Sequence, residues 1–502
     1  MTIPAQRRVA ASVMPPISVD RDSNLPIYSQ LYEWFRGAIT EGRLRPGQRV
    51  PSTRSLAAEL QISRIPVLSA YEQLRTEGYL ETVIGAGTRV AQVIVDEAAA
   101  PIRLSSRNAN SHYPLGGAAR RLSARGLPLT RGINIAWPPQ FGAFRIGLPA
   151  LERFPVGLWA KLVARHTRRL SKETMAYGDP MGYLPLREAI ADYLGIARAL
   201  RCDASQVLVT AGSQQGLVLA AQTLFDAGDE VCMEEPGYPG AKHAFMTSGA
   251  KIVPVRVDGE GLVVEELMRR SPRARAIYIT PSHQYPLGMT LSASRRMELL
   301  RWAKHFGTWI IEDDYDSEFR FTSRPIGALQ GMDTDARVIY LGTFSKLMFP
   351  ALRLGYIVAP KDLVATLAGA LAAAGISTSL VNQTVLTDFI REGHLARHIR
   401  RMRALYMDRR EVLVQALRRH FGNTLEVVGA EAGITLVALL PRGTDDRAIA
   451  LRAVAKGISA MPLSSCYIGE ASLSGLILGY GGASIPQIRE GVRRLKACLD
   501  GD

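Results

Sequence analysis

The chain has 502 residues, 47% hydrophobic and 21% charged, with a formal net charge of +15. That length is too great for one hydrophobic core, the ordinary composition excludes a disordered or fibrous chain, and the basic balance favours a polyanionic partner without proving one. Cys202, Cys232, Cys466 and Cys498 are scattered, which argues against a disulfide framework or a metal cluster, and no apolar run follows Arg7 and Arg8 as a secretory signal would require; a reducing cytoplasm is expected.

Apolar residues at Ile27, Leu31, Trp34, Phe35, Ala38 and Ile39 recur with a helical period, with Pro26 in the first turn and Gly42 as the stop. After the turn Arg45-Pro46-Gly47, Ser52 is placed to N-cap a short helix that carries Arg54. Ser63 is placed to N-cap a third helix that begins with Arg64 and stops at Gly78. Residues 79–90 read as a two-stranded hairpin with Gly85 and Gly87 at its tip and Arg89 on the return strand. Two short helices joined by a tight turn and followed by such a hairpin form a winged helix-turn-helix. It offers a helix N-terminus, arginines and a glycine-rich wing to DNA phosphates. Candidate DNA contacts are Ser52, Arg54, Ser63, Arg64, Gly85 and Arg89. The first 90 residues hold 11 arginines against 8 acidic residues, so the pattern carries this reading and the charge does not.

This segment resembles the winged helix-turn-helix domain of the GntR superfamily. The resemblance rests on Leu44-Arg-Pro-Gly-Gln-Arg-Val-Pro-Ser-Thr-Arg54, Ser63-Arg64, Ala70-Tyr71-Glu-Gln-Leu74 and Glu77-Gly78-Tyr79-Leu80. The family carries polar or small residues after the Ser-Arg pair, whereas Ile65 and Pro66 follow here and neither side chain can hydrogen-bond a base. The DNA-binding domain is placed at residues 20–90. Residues 91–140, rich in Ala, Arg, Gly, Ser and Pro and without a sustained period, read as a linker.

From residue 141 strands and helices alternate, the pattern of a mainly parallel sheet. Val207-Leu-Val209 leads through Gly212-Ser213-Gln214 into an apolar helix, a cradle of backbone N–H groups suited to a phosphate. Glu230-Val-Cys-Met233 leads to a loop with Tyr238, and Arg275-Ala-Ile-Tyr-Ile279 to the loop Ser282-His-Gln-Tyr-Pro286. Thr308-Trp-Ile-Ile-Glu312 delivers Asp313, Asp314 and Tyr315. Arg337-Val-Ile-Tyr-Leu-Gly-Thr-Phe-Ser345-Lys346 is followed seven residues later by Arg353. Loops at successive strand ends converge on one crevice. An amine, an acid, a phenol and a guanidinium gathered there are the groups that would hold an aldehyde cofactor with a phosphate and a pyridine ring. Residues 363–387 carry no charge but are poor in the Leu, Ile and Phe that drive membrane insertion. They read as a buried helix and loop at a subunit interface, and no membrane association is expected.

Together these residues resemble fold-type I enzymes that use pyridoxal 5′-phosphate (PLP), over residues 141–502. The resemblance implies that Lys346 forms a Schiff base with PLP, that Asp313 pairs with the pyridine nitrogen, and that Tyr315 hydrogen-bonds the ring hydroxyl. It also implies that Arg353, Ser345, Ser213 and Gln214 hold the phosphate and that Tyr238 stacks on the ring. Tyr177, in Tyr177-Gly-Asp-Pro180-Met-Gly182, resembles the tyrosine that this fold passes into a neighbour's phosphate site, which implies a homodimer. A winged helix joined to such a half resembles the MocR subfamily of GntR-type regulators. Asp313-Asp-Tyr-Asp-Ser-Glu-Phe319, the Ser282–Pro286 loop, and His394 with His398-Ile-Arg-Arg-Met-Arg403 strengthen the match. Two departures from the enzymes are Tyr285, where they carry Asn, and Gly475-Leu-Ile-Leu-Gly-Tyr480, which lacks their carboxylate-clamping arginine. The expected architecture is α/β: an N-terminal winged helix-turn-helix, a flexible linker, and an aminotransferase-like large domain with a smaller C-terminal α+β subdomain. The expected function is a cytoplasmic transcriptional regulator that binds operator DNA and senses PLP or an amino compound, with a sensor in place of an enzyme. A working aminotransferase with an accessory DNA-binding domain is the alternative.

Overall fold

A computed structural model describes residues 16–23, 25–83, 87–92, 142–321, 326–375 and 378–500. The chain divides into one unit up to Ala119 and a second from Arg120. Gly85 and, apart from residues 91 and 92, the expected linker lie outside the described residues.

The first unit contains helices α1 (Ile27–Thr40), α2 (Thr53–Glu59) and α3 (Arg64–Thr76) and strands β1 (Leu80–Val83) and β2 (Gly87–Val90). Their apolar stripes meet in a core of Leu31, Phe35, Leu56, Val67, Tyr71 and Leu74, with Phe35 edge-on to Tyr71 at 5.2 Å. Pro26 takes the N-cap position of α1, one residue earlier than its expected place in the first turn. Ser52 caps α2, its Oγ accepting from the N–H of Ser55 at 3.1 Å. Ser63 occupies the N-cap position of α3 but makes no side-chain cap hydrogen bond, contrary to its expected capping role. The reason is chemical: the residue that corresponds to Ser55, three positions after the cap, is Pro66, which has no N–H to give. β1 and β2 pair antiparallel with Leu80 opposite Val90, and Arg49 is bridged to Arg89 at the edge of this hairpin.

The second unit begins with α4 (Val156–Thr167), α5 (Lys172–Met175) and α6 (Leu184–Arg198), followed by β3 (Val207–Thr210), α7 (Ser213–Leu224), β4 (Glu230–Glu235) and α8 (Pro239–Ser248). It continues with β5 (Lys251–Asp258), β6 (Gly261–Leu262), α9 (Val264–Arg270), β7 (Ala276–Ile279), α10 (Ala293–Phe306), β8 (Trp309–Asp314), β9 (Val338–Thr343) and β10 (Gly355–Val358). α11 (Lys361–Ala373), α12 (Leu380–Arg391) and α13 (His394–Phe421) lead to the final β11 (Glu426–Val428), β12 (Thr435–Leu439), α14 (Asp446–Ala455), β13 (Met461–Pro462), β14 (Gly475–Gly479) and α15 (Ile485–Asp500). Eight strands form one sheet in the order β3-β10-β9-β8-β7-β4-β5-β6. β5, β4, β7, β8 and β9 run parallel, while β10 is antiparallel to both of its neighbours. The central strands are buried throughout, as a sheet covered on both faces requires. A second, antiparallel sheet in the order β11-β12-β14-β13 makes the smaller α+β part.

Two features fix the end of β8. Arg198, the last residue of α6, donates from Nε to Asp314 Oδ2 at 2.7 Å and from a terminal nitrogen to Ser282 Oγ at 2.7 Å, and Tyr340 donates to the same Asp314 oxygen at 2.7 Å. Both partners of the ion pair are buried. Burial opposes the charge on Asp314, but the Arg198 guanidinium and the hydroxyls of Ser317 and Tyr340 outweigh it and hold the carboxyl below its usual range. The uncharged stretch at 363–387, expected to be a buried helix and loop, holds parts of two helices. It is the C-terminal part of α11 and the N-terminal part of α12, and only α12 is largely buried; α11 leaves Ala365, Thr366, Gly369 and Ala372 exposed. Small uncharged side chains are compatible with either side of a helix, so lack of charge did not determine burial. No helix among the described residues is long and apolar enough to cross a membrane.

Ser52→Ala should destabilise α2 by about 1 kcal/mol whereas Ser63→Ala should leave α3 within a few tenths of that of the parent, read by amide hydrogen exchange across the two helices. Arg198→Leu should strand a buried carboxylate and lower the stability of the second unit by about 3–5 kcal/mol in denaturant unfolding.

Candidate functional site

The C-terminal ends of β3, β4, β7, β8 and β9 open on one side of the sheet, where a doubly wound fold places its ligands. Lys346 follows β9, and its Nζ donates to the carbonyl of Gly147 at 2.9 Å. Gly147 has φ +75°, and a Cβ there would lie 2.5 Å from the lysine nitrogen, so the position demands glycine. Burial pulls the Lys346 amine below its ordinary range, and the carboxylates of Asp316 and Asp313 work in the opposite sense.

Asp313 and Asp314 end β8. Alternation along the strand sends Asp314 to Arg198 and Asp313 to the Lys346 side. Tyr278 donates to Asp313 Oδ2 at 2.9 Å, while Oδ1 is buried with no partner among the described residues. Burial pushes the Asp313 carboxyl up to about 7, with Tyr278 and Lys346 acting against it and Asp314 reinforcing it. Tyr238 lies within electrostatic reach of both this acid and Arg353. Burial raises its hydroxyl to about 12, and Asp313 adds to that shift while the Arg353 guanidinium acts against it. Tyr238 OH donates to Gln214 Oε1 at 3.5 Å, and Gln214 donates to the carbonyl of Gly240 at 2.8 Å.

Gly212, with φ +99°, is the N-cap residue of α7 and Ser213 opens the helix. The Arg353 guanidinium lies beside Gly212, at 3.7–3.9 Å from where a Cβ would stand, and Arg353 itself has φ 51°. A guanidinium at the N-terminal end of a 12-residue helix is a cradle for a phosphate. Gln215 holds the turn through its Oε1, which accepts from the N–H of Ala211 at 2.6 Å, and leaves its Nε2 buried without a partner. Ser345 is half-buried beside Lys346, its N–H donated to Thr343 Oγ1 at 3.2 Å.

The fold therefore gathers these groups on one side of the sheet: Asp313 within electrostatic reach of Lys346 and Tyr238, Tyr238 within reach of Arg353 and bonded to Gln214, Tyr315 linked to Tyr238 through the Tyr285 ring, Ser345 next to Lys346, and Ser213 at the helix start beside Arg353. It does not bring Tyr177 there: that side chain is fully exposed on the single chain. Tyr315 donates to the carbonyl of His283 at 3.0 Å and lies 3.2 Å from His283 Nδ1, which in turn lies 2.9 Å from Asp316 Oδ1. His283 and Asp316 are 4% and 1% exposed, and His283 Nε2 and Asp316 Oδ2 have no partner among the described residues. Both residues fall within motifs quoted from the sequence that gave them no role, and Gly147 and Tyr278 carried no signal there at all. Nothing in a uniformly buried strand marks Tyr278, and the contact of Gly147 with Lys346 spans 199 residues. Tyr285, which replaces the expected asparagine, turns its hydroxyl to Met461 Sδ at 3.9 Å. Tyr480, which ends the segment that lacks the clamping arginine, is buried and donates to the carbonyl of Gly433 at 2.9 Å.

In the first unit Arg54, Ser63 and Arg64 are exposed. Arg64 Nε donates to Thr53 Oγ1 at 3.1 Å, which ties the start of α3 to the start of α2. Arg89 is half-buried with its Nε unpartnered, and Arg49, which is not among the expected DNA contacts, stands directly opposite it and beside Gly87. On its other side Arg89 stands opposite Glu81 of β1, so the hairpin itself sets an acid against one of these two arginines.

Residues 27–90 match the family described as bacterial regulatory proteins, gntR family, and residues 151–474 match aminotransferase class I and II. The chain is 39% identical over 481 residues to the probable rhizopine catabolism regulatory protein MocR of Rhizobium meliloti, covering 96% of this chain and 95% of that protein. It is 30% identical over 469 residues to the HTH-type pyridoxine biosynthesis transcriptional regulator PdxR of Corynebacterium glutamicum, covering 93% and 94%. Among solved structures it resembles LysN, an α-aminoadipate aminotransferase from Thermus thermophilus complexed with N-(5′-phosphopyridoxyl)-L-leucine, with a TM-score of 0.67 and 30% identity over 71% of this chain and 92% of that one. A winged helix that matches one family, a sheet that carries the aminotransferase fold, and regulators similar over nearly their full length lead to one conclusion: the chain belongs to the MocR subfamily of GntR-type transcriptional regulators.

Proposed function

We propose that this regulator holds PLP at Lys346, binds operator DNA as a cytoplasmic homodimer, and changes its DNA affinity when the cofactor or a competing amine occupies the crevice. The observation that carries the cofactor reading is the orphaned Oδ1 of Asp313. A buried carboxyl oxygen with no partner among the described residues, within electrostatic reach of half-buried Lys346 and of Tyr238, which also feels the Arg353 guanidinium at the start of α7, suits a pyridinium ring that carries a phosphate.

In this reading Asp313 accepts the pyridine N–H and Tyr315 turns its hydroxyl from His283 to the ring hydroxyl. Tyr238 covers the ring, and Arg353, Ser345, Ser213 and Gln214 hold the phosphate. PLP supplies an aldehyde carbon for which the lysine and other primary amines compete. The chain's own contribution is to hold the half-buried Lys346 amine with its proton affinity reduced by desolvation, which favours the neutral nucleophile relative to a free lysine. Exposed Tyr177 and the exposed uncharged side of α11 support pairing with a second copy. Exposed Ser63, Arg64 and Arg54, with the opposed Arg49 and Arg89, support phosphate contacts. An effector shifts DNA affinity only by the difference in its affinity for the two arrangements of the dimer, so coupling is reciprocal.

Adding PLP to the purified protein should give a visible absorbance band that Lys346→Ala lacks. DNA affinity measured with and without PLP, and with a panel of amines, should change for at least one of them; identical affinity in every case would sink the sensor reading. Without cofactor, the raised pKa of Asp313 gives a defined pH dependence. The folded state keeps a proton that the unfolded chain has lost above about pH 4, so stability falls as pH rises from about 4 to 7, by up to roughly 1.4 kcal/mol per unit for this group, and levels off above. Asp313→Asn should remove that part of the slope in unfolding measured across this range.

A further inference from the structure

The start of α3 is built unlike the rest of the DNA-facing surface. Ile65 is 72% exposed and Leu68 40% exposed, and three-residue spacing puts both on one side of the helix. The opposite side of α3 fills the core with Val67, Ala70, Tyr71 and Leu74, so these two residues are not displaced core. A single exposed apolar side chain needs no explanation. Two of them at the N-terminal end of the second helix of a helix-turn-helix, where base edges are met, do.

The polar groups beside them are committed elsewhere or set free by the same local chemistry. Arg64 is drawn back to Thr53 by its Nε bond. Pro66 has no N–H, so Ser63 is released from capping and its hydroxyl is exposed. The surface thus offers a base edge two branched aliphatic groups and one free hydroxyl, flanked by Arg54 and Arg64 as phosphate-directed cations. In the major groove the apolar feature that distinguishes one base from the other three is the C5 methyl of thymine.

We propose that Ile65 and Leu68 are specificity-determining residues that read thymine methyl groups in the major groove, in place of the hydrogen-bond readout that polar residues would supply there. The occupant of this apolar face is duplex DNA, because the exposed cations Arg54 and Arg64 that flank it call for a polyanion. The inference rests on the DNA-binding reading and goes beyond it by naming the feature that is read.

The test uses the full-length protein and a random duplex library from which bound sequences are enriched. The preferred duplex is then resynthesised with deoxyuridine for thymidine at one position at a time, a change that removes a methyl group and leaves every hydrogen-bonding group in place. At one or more positions deoxyuridine should weaken binding by roughly fourfold, the equivalent of one buried methyl. Ile65→Ser with Leu68→Ser should bind the thymidine duplex correspondingly less well and no longer distinguish the two duplexes. Binding of the double variant to unrelated duplex at low salt should equal that of the parent, which checks that the winged helix is folded. Equal affinity for thymidine and deoxyuridine at all positions, or discrimination that survives in the double variant, would overturn the proposal. Failure to enrich any duplex would overturn the DNA-binding reading and this inference with it.

Discussion

Two consecutive aspartates end the central strand of the large sheet, and both are nearly inaccessible to water, at 4% and 8% exposure. Adjacent buried carboxylates would each raise the other's cost of ionisation, and strand alternation is what separates them. Asp314 goes to one side, where Arg198, Tyr340 and Ser317 make its charge stable. Asp313 goes to the other, where one oxygen is bonded by Tyr278 and one is left open beside Lys346. The second unit depends on this division of labour. The paired acid fixes the strand end against α6 and the Ser282 loop, so that the unpaired acid is held at a fixed place relative to the lysine and the anion cradle.

The glycines around the crevice serve the same precision. Gly147 lets a backbone carbonyl reach the lysine nitrogen, and Gly212 lets the start of α7 approach the Arg353 guanidinium. At Gly433, φ is +76° and a Cβ would meet Asp316 Oδ2 and His283 Cε1, so this glycine allows the buried His283–Asp316 pair to form. In the winged helix a proline has the comparable local effect. Pro66 deprives Ser63 of a capping partner while Ser52, with an N–H available at Ser55, is capped. Neighbouring serines in similar sequence positions thereby acquire different roles from the presence or absence of one hydrogen.

Much of the fold was legible in the sequence. The period of Leu31, Phe35 and Ala38, the strand-loop-helix run through Gly212, and the apolar strands leading to Asp313 and Lys346 all rest on local periodicity and turn chemistry, which a linear chain displays directly. Of the buried helix and loop expected at 363–387, α12 is buried and α11 is largely exposed, because absence of charge is a statement about solubility and burial is decided by what packs against a helix. The roles of Gly147, Tyr278, His283 and Asp316 had no local signal, since each arises from a contact between residues far apart in the chain.

By itself the sequence determined the order of elements, the winged helix joined to an aminotransferase-like half, and the identity of the residues at the strand ends. These follow from period, caps and turns, whose range is a few residues. Tertiary structure alone decided which oxygen of Asp313 stays open, that Tyr315 rests on His283, that Arg64 is tied to Thr53, and that Ile65 and Leu68 face outward. Hydrogen-bond partnership and exposure depend on distances of a few ångströms between segments as far as 199 residues apart, and no local pattern encodes them.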